Sequence, residues 1–224
     1  MPTYEELGFG RGAVVSRDST RAVFGQVMGL VAFTCGFAAL GAYVARNWTG
    51  GTGFIFFIGA IACIIGLNFA AARGREQLAI GLLFGMGLLL GMFVSPVLVY
   101  YAKTDSGVVY QATAATAGFV GGLGAIGYAT RRDLSSWART LFWSLLALIV
   151  FGLIATFVAI PHANIIYCLA GLAIFGAFTL FDFNRLRRTN NMMGAVPIAA
   201  SIFLDIFNVF LFMLSLFGGG GSRR

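Results

Sequence analysis

The chain has 224 residues, 59% of them hydrophobic and only 10% charged, with a mean hydropathy of +0.88. A soluble domain needs about a quarter of its residues charged to cover its surface, so a water-soluble enzyme or nucleic-acid-binding domain is excluded and the chain reads as a membrane protein. The 15 basic residues against 8 acidic ones must then be read by their position along the chain, not as one overall charge.

A polar tail, residues 1–21, precedes seven apolar stretches at about 22–46, 53–72, 78–102, 108–129, 138–159, 163–185 and 195–217. Each approaches the ~20 residues that cross ~30 Å of hydrocarbon as a helix. The sequence therefore predicts an all-α membrane protein, a seven-helix transmembrane domain over 22–217, with 218–224 as a flexible glycine-rich tail of no assigned function. The first stretch is too long for a secretory signal core and is kept as a spanning helix.

Basic residues alternate between the two sides of this chain. Arg11, Arg17 and Arg21 lie in the tail, Arg73 and Arg75 in the second connection, Arg131, Arg132 and Arg139 around the fourth, and Arg185, Arg187 and Arg188 in the sixth. Arg46, Lys103, Arg223 and Arg224 fall on the other side. This asymmetry predicts a cytoplasmic amino terminus and an outer carboxyl terminus. Trp48, Tyr43, Tyr100, Tyr101, Trp137 and Trp143 sit near helix ends, as interfacial anchors do. The Asn47-Trp48-Thr49 sequon lies too close to the membrane to be a good glycan acceptor and is read as chance.

Glycine, with 31 copies, forms the pairs Gly81 and Gly85, Gly87 and Gly91, and Gly118 and Gly122, whose four-residue spacing lets helix backbones approach. These are read as packing within the chain. Pro96 is expected to kink the third helix, with Ser95 or a neighbouring helix satisfying the carbonyl it frees. Cys35, Cys63 and Cys168 lack metal-ligand spacing, and His162 is a single loop histidine. No metal centre, cofactor or enzymatic activity is expected.

The charges inside apolar runs carry the information. Asp182 lies in Leu180-Phe181-Asp182-Phe183 and Asp205 in Leu204-Asp205-Ile206. A lone aspartate at a helix centre costs roughly 2.5–3.5 kcal/mol on insertion scales, so each needs a partner or a watery cavity. A hairpin turning near Gly194 sets the two at similar depth. In the last helix Ser201, Asp205, Asn208 and Ser215 recur at intervals of four, three and seven, which at about 100° per residue gathers them in one polar stripe. The stripe faces a pore or a hydrogen-bonded seam between helices. Two close carboxylates in low dielectric share a proton and act as a pH sensor. With Ser201 and Asn208 oxygens they could also offer calcium a weak, transient site, which suits passage better than storage.

Four segments together resemble the Bax inhibitor family of transmembrane proteins: Gly91-Met92-Phe93-Val94-Ser95-Pro96, Arg131-Arg132-Asp133-Leu134-Ser135, Phe181-Asp182-Phe183-Asn184-Arg185 and Phe203-Leu204-Asp205-Ile206-Phe207-Asn208. The similarity runs from the first helix to about residue 217. The resemblance implies a seven-helix bundle with the last helix central, in the plasma membrane of a bacterium. It also implies a pH-sensitive calcium leak serving ion homeostasis or stress survival, with calcium the permeant ion. Asp182 and Asp205 match the family's aspartate sensor, and Arg73 its latch arginine. Members that lack the aspartates include a modulator of a membrane-bound AAA protease, so the rival function is a non-conducting protein that binds another membrane complex. Phe181, where tyrosine is common, and Asn190-Asn191, without a nearby acidic residue, depart from the family pattern.

Two other functions fail on particular residues. A retinal protein needs a lysine within a helix, and Lys103, the sole lysine, stands at a helix end. Intramembrane aspartyl proteases carry Gly-x-Gly-Asp, whereas Ile202-Phe203-Leu204 precedes Asp205 here.

Overall fold

The computed structural model describes residues 9–48, 53–158, 162–189 and 194–219, with side chains described from Arg21 onward. Seven α-helices follow in order: α1 (Phe9–Val44), α2 (Gly53–Ala72), α3 (Glu76–Thr104), α4 (Ser106–Ala129), α5 (Trp137–Phe157), α6 (Ala163–Arg188) and α7 (Ala195–Gly219). A 3-10 turn, Ala45–Asn47, extends α1. The helical backbone of α1 begins within the stretch read as a polar tail, because no proline interrupts it after Phe9. Thr49 of the sequon, the Asn190-Asn191 pair and residues 220–224 of the glycine-rich tail lie outside the described residues.

Six helices are long and apolar enough to cross a membrane. The exception is α4, whose 24 residues would reach across a bilayer but whose glycine, alanine and threonine content lowers its hydropathy. The expectation of seven apolar spans is thus met for six. Large apolar side chains point outward, among them Phe54, Ile55 and Ile65 on α2 and Phe142, Leu153 and Phe157 on α5. Lipid is the solvent that such a surface suits.

A smaller core of Val108, Ala112 and Leu214 joins α4 to α7, and two larger cores lie within the bundle. One gathers α1, α2, α3 and the first half of α7 around Val27, Leu67, Leu83, Met86, Ile198 and Phe203. The other joins α4, α5, α6 and the second half of α7 around Val120, Leu148, Leu172, Phe175 and Phe212. Phe183 and Ile206 touch both. In consequence α7 packs against α1, α2, α3, α4 and α6, whereas α5 packs chiefly against α6.

The tightest crossing joins α1 to α3. A methyl group at Gly91 would strike the Ala38 carbonyl, one at Gly41 the Leu88 carbonyl, and one at Gly87 both the side chain and the carbonyl of Thr34. Of the three glycine pairs, only Gly87 and Gly91 make this approach. Gly85 meets only the Cys63 sulfur at a distance, and Gly81, Gly118 and Gly122 face open space. Pro96 sits inside α3, whose helical run continues to Thr104. The Ser95 hydroxyl does not serve the carbonyl that the proline frees. It donates instead to the Ala42 carbonyl of α1, at 2.7 Å, pinning the crossing near the end of α1.

Backbone atoms cannot move aside as a side chain can, so Gly91→Ala should destabilise the fold by about 1–3 kcal/mol through overpacking. Gly118→Ala, which fills no occupied space, should leave the thermal midpoint of the detergent-solubilised protein within about a degree of wild type, since it sits away from any packed contact. Equal midpoints for the two variants would contradict the close crossing.

Candidate functional site

Asp182 on α6 and Asp205 on α7 come together. Each is 4% exposed, and their carboxyl groups approach within hydrogen-bonding reach. Ionised carboxylates only accept, so a hydrogen bond between the two requires that the pair hold a proton. The second oxygen of Asp205 is buried without a partner. Gln26 of α1 has the other buried side-chain oxygen lacking a partner among the described residues.

The remaining sequence-predicted residues are placed differently. Asn208 turns back on its own helix, donating to the Leu204 carbonyl at 2.8 Å, and Ser201 is half-buried. Lower on the same stripe, Ser215 donates to Asn164 of α6 at 3.2 Å. The stripe therefore meets α6 at two levels, through Asp205 and through Ser215. Arg73 stands apart from the aspartates in this conformation: it is exposed, and its guanidinium lies 3.6 Å from the centre of the Phe69 ring. Arg185, by contrast, lies one helical turn beyond Asp182 along α6.

Beside the pair stands a residue that the sequence reading quoted but gave no role. Asn184 is buried and clamps the segment between α4 and α5. Its amide donates to the carbonyls of Thr130 at 2.8 Å, Arg132 at 3.2 Å and Gly127 at 3.4 Å, and its oxygen accepts from the Leu134 N–H at 3.4 Å. Arg187 adds bonds to the carbonyls of Ala129 and Thr130. These donors serve carbonyls at the end of α4, which no helical N–H can reach. The available signal was an amide two residues from a buried aspartate at the end of an apolar helix. Spacing alone does not reveal its partner 50 residues upstream.

Arg188 completes the clamp, meeting the Arg131 carbonyl at 3.1 Å and the Asp133 carboxylate at 3.1 Å. Asp133 also accepts from the Ser135 hydroxyl at 2.6 Å and the Ser135 N–H at 2.9 Å. These bonds, the hydroxyl first, and then the nearby Arg188 charge hold the Asp133 carboxyl below its ordinary range. Among the described residues no group of three or more His, Cys, Asp or Glu side chains could hold a metal ion.

A helical bundle with a lipid-facing apolar surface and a buried acidic pair between its last two helices defines a polytopic membrane protein with a polar site inside the bundle. The family profile described as "Inhibitor of apoptosis-promoting Bax1" matches residues 20–222, and the chain belongs to this Bax inhibitor family. It is similar to an uncharacterised protein of Helicobacter pylori, 27% identical over 203 residues, covering 88% of this chain and 79% of the relative. An uncharacterised protein of Lactococcus lactis is 28% identical over 177 residues, 76% of this chain and 74% of the relative. An uncharacterised membrane protein of Streptococcus pyogenes serotype M1 is 29% identical over 156 residues, 66% of this chain and 67% of the relative.

Replacing Asn184 with alanine removes the partner of several buried backbone groups, and each orphaned group costs about 1–3 kcal/mol. Asn184→Ala should therefore lower the thermal midpoint and speed hydrogen exchange in residues 130–136. An unchanged exchange pattern there would show that the clamp contributes nothing. Asp133 supplies a pH signature. Because its folded-state pKa is depressed, its stabilising bonds are fully present above the ordinary carboxylate range and lost as pH falls through the folded-state value. The difference in loop exchange between wild type and Asp133→Asn should be present at about pH 7 and persist into the usual aspartate range, fading only as pH falls through the depressed folded-state value.

Proposed function

We propose that the protein is a pH-sensitive calcium leak in which Asp182 and Asp205 form the sensor. The observation that carries this reading is the carboxyl pair itself, two groups within reach of each other and buried between apolar helices, with one oxygen left unpartnered. A group so placed is costly and calls for a function that uses its charge. Two carboxyls supply fewer oxygens than the six to eight of a resident calcium site. Calcium is accordingly cargo, held briefly as it passes.

In this reading all seven helices cross the membrane, α4 included, and α7 is the central helix whose polar stripe lines the path. The arginine-rich ends of the helices face the cytoplasm of a bacterial cell, placing the amino terminus inside. Arg73 serves as the latch in a second conformation, after leaving Phe69 to pair with the carboxylates. Protonating the pair weakens that attraction and also removes the charge that draws calcium. The two effects oppose one another, so the pH profile reflects their balance.

Calcium flux into liposomes holding the purified chain tests the proposal. Wild type should leak calcium with a response to pH between about 6 and 8, while Asp182→Asn and Asp205→Asn, which lack a titrating carboxylate at one position, should flatten that response. Arg73→Ala should raise the leak several-fold, by loss of a charge-assisted ion pair in the closed state. No flux from folded wild-type protein would favour a non-conducting partner of another membrane complex. Unchanged pH responses in both aspartate variants would refute the sensor, and an unchanged leak in Arg73→Ala would refute the latch.

A further inference from the structure

Two cavities lie one helical turn apart along the seam where α5 meets α6, and neither belongs to the aspartate site. The first, about 310 Å³, opens at the arginine-rich ends of the helices and is lined by Ser135, Phe181, Arg185, Arg188 and Thr189 among others. The second, about 410 Å³, is mostly apolar and is lined by Trp137, Leu141, Ser144, Ile174 and Ala177 among others. Ala177 and Phe181 are successive turns of one face of α6, and Ala138 and Leu141 are successive turns of α5. The seam is thus polar and cationic at its mouth and apolar further into the span.

Charge at the mouth is strongly one-sided. Arg185 and Arg188 line it, and Arg131, Arg132 and Arg139 lie in and just after the adjoining α4–α5 connection, with Asp133 as the carboxylate of that segment. Asp133 is already engaged by Arg188 and Ser135. The Arg185 guanidinium is different: among the described residues it makes no hydrogen bond and no ion pair, though it lines the cavity. Trp137, 41% exposed, sits where the polar cavity gives way to the apolar one, a position suited to the boundary between headgroup and acyl chain.

We propose that the α5–α6 seam binds an anionic phospholipid of the phosphatidylglycerol type, its phosphate on Arg185 and Arg188 and an acyl chain in the apolar cavity. Two features together select a lipid over a free phosphate. The arginines provide the charge-assisted bonds that a phosphate oxygen favours, and the apolar cavity beside them would stay dry without a hydrocarbon occupant. Basic pockets between membrane helices at the headgroup level are suited to anionic lipids. The lipid would also tether α5, which packs chiefly against α6, and its retention is read without any flux measurement.

The test uses the full chain, purified in neutral detergent and supplied with dioleoyl phosphatidylglycerol, dioleoyl phosphatidylcholine or glycerol 3-phosphate. Native mass spectrometry should show phosphatidylglycerol retained in preference to phosphatidylcholine. The thermal midpoint should rise by about 3 °C or more with phosphatidylglycerol at saturation and should not move with glycerol 3-phosphate. Arg185→Gln removes a side chain that makes no hydrogen bond or ion pair among the described residues, so the variant should fold normally yet bind phosphatidylglycerol about tenfold more weakly, the loss of one charge-assisted bond. Ala177→Leu, which narrows the apolar cavity, should weaken retention without touching the arginines. Equal retention of the two lipids, or full retention by Arg185→Gln, would overturn the headgroup site. Stabilisation by glycerol 3-phosphate equal to that by phosphatidylglycerol, or undiminished retention by Ala177→Leu, would overturn the acyl-chain contact.

Discussion

Inside a bilayer a polar side chain has no water to turn to, and most of this structure's specific contacts answer that constraint. Several buried hydroxyls meet it within their own helix. Thr34, Thr116 and Thr179 each donate to the carbonyl four residues back, and so add nothing between helices. The aspartates have no such recourse, because a carboxylate finds no free N–H along a helix whose amides are already bonded. Asp182 and Asp205 must find each other, and doing so fixes the register of α6 against α7. The same requirement explains the cross-helix bond of the buried Ser95 hydroxyl to the Ala42 carbonyl.

Much of this was legible in the sequence, because hydropathy and helix length are set by local composition. Six spans were readable for that reason, and α4 fell short because glycine, alanine and threonine dilute its apolar run. The aspartate pair was readable because two costly residues flank one short hairpin. Face and partner were not. Gly87 and Gly91 have the same spacing as Gly118 and Gly122, yet the first pair meets the backbone of α1 and the second faces open space. A spacing rule records which residues share a face of a helix, not what that face meets. Arg73 and Arg185 pose the same difficulty. Both close a helix on the arginine-rich side, but only the structure shows one stacked on Phe69 and the other a turn away from Asp182.

The end of α6 concentrates these roles within seven residues. Asp182 reaches α7, Asn184 and Arg187 hold the carbonyls at the end of α4, Arg188 holds Asp133, and Arg185 lines the cavity shared with α5. Successive helical residues point about 100° apart, so one turn and a half can address three neighbours at once. The geometry has a mechanical consequence. Because α5 packs chiefly against α6 and the α4–α5 segment is clamped by Asn184, an axial or rotational shift of α6 must carry α5 and the end of α4 with it or break those bonds. A change of charge on the aspartates is felt first at the α6–α7 contact. The carboxyl pair and the arginine-rich surface thus meet on one element, the end of α6.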